Sequence, residues 1–101
     1  MQHIKHEQDV VYDIRDDIFF TLEDLLYVFC SSQIIELQYK YNIFFNDTIH
    51  NLKNHPNFSI WKDLIPYASA VYENKTLTIN LVEPYDYTEE QMTELLESME
   101  E

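Results

Sequence analysis

Not one glycine occurs in the 101 residues of this chain. At the usual share of about 7%, roughly seven would be expected. Glycine accepts φ > 0 without steric cost and lets a ligand come close to the backbone. Phosphate-cradling loops, nucleophile elbows and EF-hand loops all depend on it. The chain therefore carries no P-loop, no dinucleotide fingerprint and no calcium loop. Its turns are expected to be made from Asn, Asp, Ser and Pro instead. Asn46, Asp47, Asn54, Pro56, Asn57 and Asn74 stand where such turns are wanted.

A hydrophobic share of 46%, with 15% aromatics, supports a packed core rather than disorder. The length fits one domain, residues 1–101, and the stability margin of so small a globule is thin. Residues 9–14 read as a short strand with Val10, Tyr12 and Ile14 on one side. Thr21 caps a helix with Asp24 at the capping-box position, and Leu22, Leu25, Leu26 and Phe29 keep helical spacing up to Ser31. Residues 33–45 alternate well enough to favour one long strand, although Ile34, Leu37, Tyr41 and Phe44 also fit a helix.

Asn46 or Asp47 can cap a short helix through Ile49 and Leu52, and Ile60, Trp61, Leu64 and Ile65 make another turn or two before Pro66. Residues 68–73 and 76–82 form a hairpin around Asn74-Lys75. Thr88 and Gln91 open a last helix whose apolar stripe is Met92, Leu95, Leu96 and Met99. The expected class is α+β: a small antiparallel sheet with a C-terminal hairpin and three to four short helices.

Charge is the second constraint. Nineteen acids against six bases leave a formal net charge of −13. A domain that binds nucleic acid by neutralising phosphates needs a basic patch, and docking on anionic lipid needs the same. Neither fits. The excess is confined to the ends. Residues 1–30 hold seven acids and two bases, residues 31–82 four of each, and residues 83–101 eight acids and no base.

Cys30 has no second cysteine to pair with, no signal peptide or membrane-length apolar run is recognisable, and the three Asn-x-Ser/Thr triplets read as accidents of composition. A reducing cytoplasm, that of a host cell, is the expected compartment. On a predicted helix beside Phe29, Cys30 is expected to be a buried structural thiol. His3 and His6 lack the further ligands a zinc site needs, and no metal or cofactor is expected. Paired carboxylates could serve acid–base chemistry, but no glycine-built oxyanion site or nucleophile motif supports them, so an enzyme is not expected.

The candidate partner-binding residues follow the charge. Glu90, Glu94, Glu97 and Glu101 recur every three or four residues on the side of the last helix away from the apolar stripe. At 1.5 Å rise per residue they stand about 4.5–6 Å apart along the axis, comparable with phosphates on one strand. No Lys or Arg is interleaved to relieve their repulsion. Asp13, Asp16 and Asp17 cluster between the first strand and first helix, and Glu83, Tyr85, Asp86 and Tyr87 set two tyrosines among carboxylates just before the last helix.

These residues point to a small acidic inhibitor that occupies the nucleic-acid-binding surface of a basic nuclease or other nucleic-acid enzyme by mimicry. In size, acidity and α+β pattern the chain resembles small phage and mobile-element proteins that block host nucleases: anti-CRISPR, anti-restriction and uracil-DNA glycosylase inhibitors. The resemblance is one of composition and covers no motif. The alternatives are an immunity protein or antitoxin of a nuclease toxin, and a non-enzymatic adaptor subunit whose acidity serves solubility. The expected partner is a basic nucleic-acid-handling protein, with no direct contact to nucleic acid or membrane; a homodimer is compatible with the same composition.

Overall fold

Apolar and polar residues alternate over 34–39, and residues 77–82 are a β-rich run; these two segments make the heart of the structure. The computed structural model describes residues 10–12, 21–71 and 74–100. In chain order the elements are β1 (Val10–Tyr12), α1 (Leu22–Leu26), β2 (Ile34–Tyr39), β3 (Asn42–Thr48), α2 (Ile49–Lys53), α3 (Phe58–Trp61), β4 (Ile65–Val71), β5 (Leu77–Val82) and α4 (Glu89–Ser98). The strands form one sheet in the order β1-β4-β5-β2-β3. Class, C-terminal hairpin and short helices are as expected. The sheet itself is mixed rather than wholly antiparallel, because β2 and β5 run parallel. A parallel partner lies beyond the reach of a tight turn, so no local pattern announces it.

Ile35, Leu37 and Tyr39 of β2 lie in register with Leu77, Ile79 and Leu81 of β5, and all six are buried. Over them pack Leu22, Leu25 and Leu26 of α1, Ile49 and Leu52 of α2, Trp61 of α3 and Leu95 of α4. All four helices thus feed one core. On the other side of the sheet the buried Thr78 hydroxyl donates to Glu36 Oε1 at 3.0 Å, so burial leaves it no unpaired group.

The long strand expected over 33–45 is instead a hairpin. It breaks at Lys40-Tyr41, whose φ values of 51° and 71° give the two-residue turn its left-handed twist. A third left-handed residue is Lys75, at φ 68°. Without glycine these positions fall on Lys and Tyr, not on the Asn and Asp that tolerate them best. Asn74 contributes differently: its Oδ1 accepts the Thr76 backbone N–H at 3.1 Å. Strand β4 ends at Val71 and β5 starts at Leu77; between them Tyr72 and Glu73 lie outside the described residues. So do Asp9, Asp13 and Ile14 of the strand expected over 9–14.

Pairing of Leu37 with Phe45 but of Gln38 with Ile43 leaves Phe44 as the extra residue of a bulge in β3. Regular alternation would send successive side chains to opposite faces. The bulge instead lets Phe44 and Phe45 both approach Trp61, with ring centroids 4.9 and 6.1 Å away. β3 also runs through Asn46 and Asp47, so the cap of α2 is Thr48, whose Oγ1 accepts the Asn51 N–H at 3.1 Å. Among the described residues no helix is long and apolar enough to cross a membrane.

Candidate functional site

Helix α4 begins as its sequence dictates. Thr88 Oγ1 accepts the Gln91 N–H at 3.1 Å, and Gln91 Oε1 accepts the Thr88 N–H at 2.8 Å, closing a capping box. Glu89 and Glu90 in the first turn gain from the helix dipole, whereas no base stands in the last turn. The helix docks on α3 through buried Leu95, with Met92 and Met99 half-buried beside it. Ser98 pins its end: the Trp61 indole Nε1–H donates to Ser98 Oγ at 2.8 Å, and Asn57 Nδ2 donates to the Ser98 carbonyl at 3.3 Å. Leu96, expected on the apolar stripe, is 45% exposed, so the docked face is narrower than the spacing implied.

Glu90, Glu94 and Glu97 are all exposed. Among the described residues no Lys, Arg or His lies within ion-pair distance of any of them; the one ion pair there joins Lys62 and Asp63 at 3.8 Å. Among the described residues, the strip between these glutamates is walled by α4 and is largely open. Asp13, Asp16, Asp17 and Glu101 lie outside the described residues.

The segment before α4 divides its residues between two tasks. Tyr39 is buried, and its hydroxyl donates to Glu83 Oε1 at 2.6 Å. That bond holds the Glu83 carboxyl below the usual carboxylate range, with Lys40 adding to it and burial opposing. Burial, and then the Glu83 carboxylate, push the Tyr39 hydroxyl well above the ordinary tyrosine value. Glu83 therefore anchors the exit from β5, and only part of its surface is open to solvent. Tyr85 is fully exposed, while Tyr87 turns inward and packs on the core. Burial raises the Tyr87 hydroxyl, helped by the charges of Asp63, Glu94, Asp86 and Glu83. The structure therefore gathers four carboxylates around Tyr87, and one of them, Asp63, was missed in the sequence. The signal for it was weak, because Asp63 sits in the neutral middle segment beside Lys62.

Cys30 is a correction. Helix α1 stops at Leu26, so Cys30 falls in the following loop and is exposed, with its thiol 3.3 Å from the Ser32 hydroxyl. The Ser32 hydrogen bonds lower its pKa. Among the described residues no group of His, Cys, Asp and Glu is arranged to hold a metal ion. No protein-family model matches the chain, and no curated protein or solved structure matches it either.

Proposed function

We propose that this protein is a small acidic inhibitor that binds a basic, nucleic-acid-handling protein and occupies the surface where that partner holds phosphates. The observation that carries the reading is the exposed face of α4. Glu90, Glu94 and Glu97 stand there without a cation among the described residues, on a helix capped at its start and pinned to Trp61 at its end. Unrelieved like charges at helical spacing cost a few tenths of a kcal/mol per pair. A surface that keeps them retains a field able to steer a basic partner and to meet Lys and Arg in place of phosphate. Exposed Tyr85 beside the face supplies aromatic contact area that salt does not screen. No bond is made or broken in this mechanism. It is occlusion, in the manner of anti-CRISPR and anti-restriction inhibitors.

Replacing Glu90, Glu94 and Glu97 by Lys should abolish inhibition and leave the circular-dichroism spectrum unchanged. Raising salt from ~0.05 to ~0.5 M shrinks the Debye length from roughly 13 to 4 Å. Association with the partner should slow by about tenfold or more, and nucleic acid should compete for the same surface. A triple variant that inhibits fully, or an on-rate indifferent to salt with nucleic acid bound alongside, would leave an adaptor role in its place.

A further inference from the structure

A helix leaves its last four carbonyls without an intrahelical donor, and a common remedy is a glycine just past the end. This chain has no glycine. In α4 each of the four carbonyls finds a donor nonetheless. The Ser98 hydroxyl donates to the Leu95 carbonyl at 2.6 Å. The Leu96 and Glu97 carbonyls accept the Met99 and Glu100 N–H groups, both at 3.2 Å, and Asn57 Nδ2 reaches the Ser98 carbonyl at 3.3 Å. The Ser98 hydroxyl also accepts the Trp61 Nε1–H at 2.8 Å. Both outside donors are themselves held. Trp61 is 1% exposed, with ring contacts to Phe44 at 4.9 Å and His55 at 4.6 Å, and the Asn57 backbone N–H donates to His55 Nδ1 at 3.0 Å.

Packing alone leaves this end loosely set. Leu95 is the one α4 side chain that is fully buried, and Leu96 is 45% exposed. Met92 and Met99, half-buried against the core, have flexible side chains that repack readily. A single buried side chain holds a helix down without fixing how far it is rolled about its axis. The capping box at Thr88 and Gln91 winds the first turn but makes no bond to the frame. The bonds at Ser98 do reach the frame, from both ends of α3. At 1.5 Å rise per residue, Ser98 lies about 1.5 Å along the axis from Glu97, about 6 Å from Glu94 and about 12 Å from Glu90. What fixes Ser98 therefore governs Glu97 most and Glu90 least.

We propose that Ser98 is the positioning residue of the glutamate face: its hydroxyl keeps the last turn of α4 wound and sets the direction in which Glu97 meets a basic partner. The inference rests on the inhibitor reading for what the face meets. Ser98→Ala removes both hydroxyl bonds and leaves the Trp61 indole N–H without its acceptor. Amide hydrogen exchange at residues 97–99 should then quicken by about tenfold or more, while residues 92–94 change by less than about twofold. Ser98→Thr keeps a hydroxyl and should restore the protection.

A deca-arginine peptide at low salt serves as the basic probe. Glu97→Gln should weaken its binding about threefold in the wild-type background and by less than about 1.5-fold in the Ser98→Ala background. Glu90→Gln should weaken it about threefold in both. A general loss of stability would not couple Ser98 to one glutamate and spare the other. Unchanged exchange in the last turn, exchange quickened evenly along α4, or an equal Glu97 effect in both backgrounds overturns the positioning role and leaves the glutamate face standing. A wild-type protein that does not bind the peptide removes the face itself, and Ser98 is then a helix terminator alone.

Discussion

Between residues 31 and 82 four carboxylates meet four lysines, whereas residues 83–100 hold seven carboxylates and no base. The first region supplies four of the five strands, α2, α3 and most of the buried core; the second supplies one helix and buries only Leu95 fully. In the middle region charge is balanced and side chains are spent on packing. In the last region Leu95 is buried with Tyr87, Met92 and Met99 packed against the core, and every charged side chain is acidic. Three side-chain hydrogen bonds tether them at two places: Tyr39 to Glu83, and Trp61 and Asn57 to Ser98. The difference teaches that the acidic region is a display borne by the frame, since a free acidic peptide of this length would be a marginal helix at best.

The hardest way to break the comparison is to undock the display. Leu95→Ala removes the only α4 side chain that is fully buried and should destabilise the protein by roughly 2–5 kcal/mol, read from urea unfolding. Inhibition should fall with the population of docked helix. An unfolding midpoint close to that of the wild type would mean that α4 is not part of the cooperative unit, and the glutamate face would lose its scaffold.

What the sequence makes legible follows the same division. The capping boxes at Thr21/Asp24 and Thr88/Gln91 are local devices, readable from residues three apart, and both are formed. The exposed glutamate row is likewise a matter of helical spacing. The rest depends on distant partners. Glu83 reads as one more surface acid until Tyr39, forty-four residues away, is found holding it. The parallel register of β2 on β5 has no signature in either strand. The Lys40-Tyr41 turn is hidden for another reason: neither residue type advertises a left-handed backbone, and the glycine that would do so is absent from the whole chain.

A smaller effect sharpens the comparison at the other tether. Tyr39→Phe removes a hydrogen bond to a charged acceptor that is partly open to water, and should cost about 1–2 kcal/mol at neutral pH. The lowered pKa of Glu83 sets the pH dependence. Its stabilisation is fully present above the ordinary carboxylate value and is lost as pH falls through the lowered folded value. The gap between wild type and variant should therefore close on acidification below about pH 4.5, the ordinary carboxylate value. A gap constant from pH 7 to pH 3 would show that the phenol acts through packing alone. The raised hydroxyls of Tyr39 and Tyr87 act at the other end of the scale. Their contribution is complete below the ordinary tyrosine value and is lost as pH rises above it.

The smallest expected effect touches the frame alone and has the opposite sign. Tyr41 is 93% exposed and sits at φ 71°, so its side chain packs on little while its backbone occupies a left-handed well. That conformation costs a non-glycine residue about 1–2 kcal/mol. Glycine relieves it but gives back about 0.5–1 kcal/mol in unfolded-chain entropy. Tyr41→Gly should thus stabilise the protein by about 0.5–1 kcal/mol, a rise in urea midpoint measurable against the wild type. Because Tyr41 lies in the neutral region, inhibition should stay unchanged. Lys75→Gly, at φ 68° in the connection between β4 and β5, should act in the same direction. A loss of stability in both variants would mean that these turns hold no strain, and that the absence of glycine costs the frame nothing.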